Sequence, residues 1–239
     1  MDSSFKFKKF SVQHTLSTMK VGTDAVVLGS WIELTQERLR CLEIGCGCGV
    51  ISLIMAQRLT QCFEDQQYTA FKIDAIDIDA PSVEEASRNF VASPWASKLS
   101  ALRSSFQHYS AEKYDLIFSN PPFFVNSLNA PEQRRNNARH STELSHQELI
   151  DHSIRLLQPN GKLCLILPFE EGQNIITKAR FTKQLQLLRI CKLYTSTRKP
   201  PKRLLLEFLL SDTLLEEVIA QDLVINSPEY GLMVGDLLK

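Results

Sequence analysis

Two short stretches of the chain hold residue types that can do chemistry. The first is Glu43-Ile44-Gly45-Cys46-Gly47-Cys48-Gly49, followed further along by Asp77-Ile78-Asp79. Alternating glycines let a backbone turn tightly and let a ligand approach it with no Cβ atoms in the way. The spacing is Gly-x-Gly-x-Gly rather than the Gly-x-Gly-x-x-Gly of dinucleotide sites, and Glu43 stands just ahead of it. A carboxylate there repels a pyrophosphate and suits a cationic or amino-acid-bearing ligand. Asp77, at the end of the next expected strand, can accept the hydroxyl protons of a ribose. S-adenosylmethionine carries a sulfonium, an ammonium and a ribose, so the reading places Glu43 near its methionine end and Asp77 on its ribose. Cys46-x-Cys48 lacks the spacing of a zinc site and has no second ligand pair, so no metal is expected.

The second stretch is Tyr114-Asp115-Leu116-Ile117-Phe118-Ser119 running into Asn120-Pro121-Pro122-Phe123. Two prolines fix φ and stiffen the turn. They also lack N–H donors, so the local polar groups are acceptors: the Asn120 side-chain oxygen and the backbone carbonyls. Such a turn suits a planar substrate bearing an NH2 group. Asn120 and the Pro121 carbonyl accept its protons, Phe123 stacks on its ring, and the nitrogen attacks a methyl group in line. Asn120, Pro121, Pro122 and Phe123 are therefore the candidate catalytic set.

These residues need a scaffold, and the chain between them alternates strand and helix. Strands are expected at Arg40 to Ile44, Lys72 to Ile78, Leu99 to Arg103, Tyr114 to Ser119 and Leu163 to Leu167. Helices are expected at Val50 to Leu59, Pro81 to Val91, His146 to Leu157 and Glu171 to Leu187. That order implies βαβ units and a mostly parallel sheet covered on both faces. Leu188 to Tyr194 and Leu204 to Leu210 are joined by a connection too short for a crossover helix, so they form an antiparallel C-terminal hairpin. Ahead of the sheet, Phe5, Phe7, Phe10 and Val12 alternate with polar residues as a short strand or hairpin. Thr23 to Leu34 reads as a helix capped by Thr23 or Asp24. The expected fold is thus a seven-stranded Rossmann-like α/β sheet. It forms one domain over residues 1–239, with residues 1–38 as a hairpin-and-helix annex.

Composition narrows the class. The chain has 239 residues, enough to bury a full core, with 27 basic and 27 acidic residues, which excludes a strongly basic nucleic-acid binder but not a local basic patch. No stretch approaches the ~18 apolar residues of a membrane span, and the first residues hold no apolar signal core. Six scattered cysteines read as reduced thiols, so a cytoplasmic protein is expected.

Beyond these readings, the chain resembles a known family. Asn-Pro-Pro-Phe after the fourth strand resembles the motif of class I S-adenosylmethionine-dependent methyltransferases that act on amino groups of adenine, guanine or glutamine. Phe10-Ser11-Val12 and Met19-Lys20-Val21-Gly22-Thr23-Asp24-Ala25-Val26-Val27-Leu28-Gly29-Ser30-Trp31 are similar to the bacterial tRNA (adenine-N6)-methyltransferases that modify the adenosine beside the anticodon of a valine tRNA. So are Asn89-Phe90-Val91-Ala92-Ser93-Pro94-Trp95, Ala138-Arg139-His140, Leu144-Ser145-His146 and Lys202-Arg203-Leu204-Leu205. The resemblance implies that Glu43, Gly45, Gly47, Gly49 and Asp77 contact the methyl donor, that Gly22, Thr23 and Asp24 close over its methionine end, and that Asn120 to Phe123 hold the target adenine. The chain departs from the family in two places. Ser104 stands where an acidic residue commonly meets the cofactor adenine, and Thr60 to Phe71 looks like a loop insertion.

The implied partner is tRNA, with no membrane, no metal and a monomeric state expected. Arg134, Arg135, Arg139 and His140, then Arg198, Lys199, Lys202 and Arg203, then Lys6, Lys8 and Lys9 are three basic clusters that could track phosphates. Rival readings are guanine-N2 methylation of ribosomal RNA, glutamine-N5 methylation of a protein, and a non-catalytic RNA-binding module of the same fold. Phe124 after the motif and the short N-terminal segment speak against the first.

Overall fold

The computed structural model describes residues 4–34, 38–62, 70–121 and 144–238. In chain order the elements are β1 (Ser4–Lys6), β2 (Ser11–Gln13), α1 (Thr23–Trp31), β3 (Arg38–Ile44), α2 (Val50–Cys62), β4 (Ala70–Asp77), α3 (Ala80–Val91), β5 (Leu99–Arg103) and β6 (Tyr114–Ser119). After the undescribed stretch come α4 (His146–Leu156), β7 (Leu157–Pro168), α5 (Phe169–Thr182), β8 (Leu185–Tyr194), β9 (Arg203–Leu210), β10 (Ile219–Val224) and α6 (Pro228–Val234). β1 and β2 form a small antiparallel hairpin. The other described strands form one eight-stranded sheet in the order β10-β8-β9-β7-β6-β3-β4-β5. Within it only β9 runs against its neighbours.

Apolar residues fill both faces of this sheet. Along β7, Cys164 and Ile166 join one core while Leu163, Leu165 and Leu167 join the other, and β9 divides likewise at Leu205 against Leu204 and Leu206. Both faces being dry, the strands read as continuous apolar runs. α1, α2 and α3 cover the first face through Leu28, Leu53, Ile54 and Phe90, and α4 and α5 cover the second through Leu149, Ile150 and Ile175.

β3 pairs with β4 on one side and β6 on the other, so chain order reverses beside β3. Such a switch point leaves a crevice at the carboxyl ends of the strands. Here those ends are drawn level: Ile44 stands opposite both Ile76 and Ser119. The Ser119 hydroxyl donates to the Ile44 carbonyl at 2.6 Å, and Gly45 N–H donates to the Ile76 carbonyl at 2.8 Å.

Several elements differ from the sequence expectation for local reasons. α1 ends at Trp31 rather than Leu34, where the Arg58 guanidinium takes the Gly29 and Ile32 carbonyls at 2.7 Å each. Its N-cap is Gly22 with no side-chain bond, because Asp24 is turned to Arg203 instead. α5 stops at Thr182: Lys183 adopts a left-handed conformation, and Leu185 and Leu187 pair with Leu210 and Phe208 of β9. α2 extends through Thr60 to Cys62 and β4 already begins at Ala70, so both ends of the expected Thr60 to Phe71 loop insertion are regular structure, and residues 63–69 lie outside the described residues. β10, beside β8, is a strand the sequence reading did not include.

The glycine turn tests the packing. Gly49 has φ +78°, and a Cβ built there would lie 2.5 Å from Phe90 Cε1, whereas Gly47 has φ +53° and nothing within 4 Å of the same added atom. Gly49→Ala should therefore cost about 2–4 kcal/mol in urea unfolding, from strain plus overpacking. Gly47→Ala should cost about 1 kcal/mol, from backbone strain alone. Equal losses would show that Phe90 yields freely.

Candidate active site

The crevice at the switch point opens into a cavity of about 740 Å³. Its walls include the segment ahead of α1 and the start of that helix, the glycine turn after β3, the ends of β4 and β5, the end of β6, Leu144 ahead of α4, the β8–β9 connection and Ile225 after β10.

Glu43 sits on its floor, at the end of the central strand, 1% exposed. Its Oε2 accepts from the Ser52 N–H at 3.1 Å and from the Ser52 hydroxyl, both in the first turn of α2. A helix N-terminus is a favourable place for a carboxylate. Oε1 is buried with no hydrogen-bond partner among the described residues. Burial pushes the Glu43 carboxyl up to about 8, against the two Ser52 hydrogen bonds that lower it and with Asp77 adding to the rise. A buried oxygen left unmatched is costly unless a ligand matches it. A primary ammonium donating to Oε1 would match that oxygen and favour the ionised carboxylate.

Asp77 holds the glycine turn. Its Oδ2 accepts from Gly47 N–H and its Oδ1 from Asp79 N–H, each at 2.9 Å. Each oxygen keeps a second lone pair for a hydroxyl. Asp79, by contrast, caps α3 through Ser82 N–H at 3.0 Å and the Ser82 hydroxyl at 2.6 Å. Burial pushes the Cys48 thiol up to about 12 and the Cys46 thiol well above its usual range, so both line the cavity as neutral groups. Asn120 and Pro121 line the same cavity, carried there by β6, whose last residue Ser119 stands beside Ile44. One cavity thus gathers the buried carboxyl of Glu43, the hydroxyl acceptors of Asp77 and the proton acceptors of Asn120 and Pro121.

The family described as methyltransferase small domain matches residues 16–188. A curated protein of Parabacteroides distasonis is 41% identical over 206 residues, covering 85% of this chain and 82% of its own. A protein of Tolumonas auensis is 39% identical, covering 85% and 81%, and one of Flavobacterium psychrophilum is 35% identical, covering 98% and 99%. All three are named tRNA1(Val) (adenine(37)-N6)-methyltransferase. The chain belongs to this methyltransferase family. Its fold is similar to that of a predicted O-methyltransferase from Agrobacterium tumefaciens, with a TM-score of 0.65 and 15% identity over 91% of this chain and 98% of that one. It is also similar to a Listeria monocytogenes protein assigned to the class I S-adenosylmethionine-dependent methyltransferases, with a TM-score of 0.60 and 15% identity over 87% and 65% of the two chains.

The methyltransferase brings most of the expected site residues together. Gly22, Thr23, Asp24, Glu43, Gly45, Gly47, Asp77, Ser104, Asn120 and Pro121 all line the one cavity. Gly49 does not: it is packed on Phe90 and Ala86 behind the turn. Pro122 and Phe123 lie outside the described residues, as do Arg134, Arg135, Arg139 and His140. Asp24 meets Arg203 Nε at 2.8 Å, joining the start of α1 to the C-terminal hairpin. The expected basic clusters separate. Lys202 and Arg203 line the cavity, while the Lys8 ammonium donates to the Gly235 carbonyl at 2.5 Å. Sequence reasoning missed Met19, Lys20, Ile78, Phe106 and Gln107 as cavity residues. Met19 and Lys20 were quoted only as part of a family-like segment, and Ile78 only as a strand residue.

Glu43 supplies a pH test. The folded chain keeps its proton up to about pH 8, whereas an ordinary carboxyl releases it near 4.5. Folding therefore takes up a proton in that interval, and this group's contribution to stability falls as pH rises from 4.5 to about 8, then levels off. Glu43→Gln should be more stable than the parent at pH 8–9 by several degrees in thermal unfolding without ligand. The gap should shrink toward pH 5, and a gap independent of pH would contradict the assignment.

Proposed function

We propose that this methyltransferase transfers a methyl group from S-adenosylmethionine to the exocyclic N6 amine of an adenosine in tRNA. The site we assign is position 37, in the anticodon loop of a valine tRNA, the nucleotide named for the curated relatives. The observation that carries the reading is one cavity lined by Glu43, whose buried Oε1 has no partner among the described residues, and by Asn120 and Pro121.

When bound, S-adenosylmethionine supplies an electrophilic methyl group on its sulfonium. The chain's own residues do the rest. Glu43 would hold the ammonium through Oε1; the nearby cation lowers the carboxyl's affinity for its proton, which leaves to solvent. Gly47, open to the cavity, lets the donor lie against the backbone, and Asp77 takes the ribose hydroxyls while keeping the turn in place. Ser104 stands on the adenine side. On the other wall, the Asn120 oxygen and the Pro121 carbonyl accept the two protons of the target amine. This turns the nitrogen lone pair toward the methyl group and leaves it more available. Phe123, which lies outside the described residues, is the side chain we assign to stack on the adenine. Once methylated, the nitrogen sheds a proton to water, so no strong base is needed. Lys202 lines the cavity and suits a backbone phosphate of an RNA whose adenosine is splayed from its neighbours, while Arg203 is held by Asp24. The chain works as one domain, as a monomer and in the cytoplasm, where tRNA is modified.

Asn120→Ala should lower methyl transfer at least ~100-fold while S-adenosylmethionine affinity by calorimetry stays within twofold. The assay is mass spectrometry of nucleosides from unmodified valine tRNA incubated with each protein. N6-methyladenosine appearing at the parental rate would contradict the role of Asn120, and a different methylated nucleoside would contradict the substrate.

A further inference from the structure

The segment between β2 and α1 forms one wall of the cavity through Thr18, Met19, Lys20 and Gly22. Neither strand nor helix, it has little apolar burial ahead of Val21, which packs on the core: Leu16 is 42% exposed and Met19 53%. At its far end Val21 N–H donates to His14 Nδ1 at 3.2 Å, and residues 13–17 are held by a pair of polar side chains on α3. The Glu85 carboxylate accepts four hydrogen bonds from consecutive residues. Oε1 takes Thr15 N–H at 2.5 Å, the Thr15 hydroxyl at 3.0 Å and Leu16 N–H at 2.9 Å, and Oε2 takes Ser17 N–H at 2.8 Å. One turn along, Asn89 exchanges two bonds with the Gln13 backbone, each 2.9 Å, and its second amide proton goes to the Cys48 carbonyl at 2.9 Å. Both side chains are buried, Glu85 at 1% exposed.

A buried carboxylate is a costly fastener where packing alone is wanted. Here the successive N–H dipoles of residues 15–17 compensate it, as in an anion-binding nest. Burial would raise this carboxyl, but the bonds from Leu16, Ser17 and Thr15 outweigh it and bring it down to about 2. The clamp is therefore charged throughout the working pH range. Directional bonds fix where a backbone lies, which apolar contact does not. The same helix face presents Phe90 and Ala86 to Gly49. One face of α3 thus sets both the glycine turn and the wall opposite it.

We propose that Glu85, with Asn89, is a positioning residue for the methyl donor: it holds residues 13–17 so that Thr18 to Gly22 close the donor's side of the cavity. The inference rests on the donor reading given above. Glu85→Ala should raise the Kd for S-adenosylmethionine at least tenfold and its KM in parallel. At saturating donor, kcat and the KM for tRNA should stay within threefold. Glu85→Gln keeps an acceptor oxygen for Thr15 and Leu16 and should restore most of the affinity. A merely structural role would lower the melting temperature without this split.

Should Glu85→Ala not fold, amide exchange of the parent protein decides. S-adenosylhomocysteine should slow exchange of residues 18–22 at least tenfold, and unchanged exchange would overturn the proposal. Folded Glu85→Ala with donor affinity within twofold of the parent would overturn it as well. A parent protein that binds no donor would instead overturn the donor reading, and the inference with it.

Discussion

The arrangement depends on a carboxylate that the chain buries and leaves half-satisfied. Glu43 stands next to last in the central strand, and one of its oxygens is matched by Ser52 while the other has no partner among the described residues. Burial of an acid without full compensation raises its pKa and opposes folding as pH rises. The surrounding elements keep the cavity at that point. Asp77 draws the glycine turn back toward β4, and Ser119 ties β6 to β3. The site is therefore a local defect supported by well-packed layers on both faces. Strain of that kind is common where a ligand is meant to complete the structure.

α3 links the parts. Its N-cap is Asp79, at the end of the strand that carries Asp77. Its buried face then carries Glu85, Ala86, Asn89 and Phe90 in helical spacing, which face the N-terminal segment and the glycine turn. On the far side, Asp24 and Arg203 join α1 to the C-terminal hairpin. The donor side and the side we assign to RNA thus meet in residues far apart in sequence.

Much of this was legible in the residues, for identifiable reasons. Tyr114 to Ser119 was read with its observed bounds because a compact apolar run ends there in polar residues and prolines. The glycine turn was legible because its spacing and its flanking acid are local. The end of α5 was not, because Leu185 and Leu187 satisfy helical and strand periods alike, and only pairing with β9 decides between them. β10 was missed because its pattern is largely exposed, with Leu223 its buried residue, and leaves no period-two signal. The caps expected at Thr23 or Asp24 failed because Asp24 has a partner in β9. Glu85 and Asn89 were invisible for the same reason: their partners lie some 70 residues away in the chain.

The most direct measurement is a crystal structure of the chain grown with S-adenosylhomocysteine. The account predicts the ligand's ammonium within hydrogen-bond distance of Glu43 Oε1, its ribose on Asp77, and its sulfur directed across the cavity toward Asn120. A ligand bound elsewhere, or bound there with Glu43 Oε1 still unmatched, would contradict it.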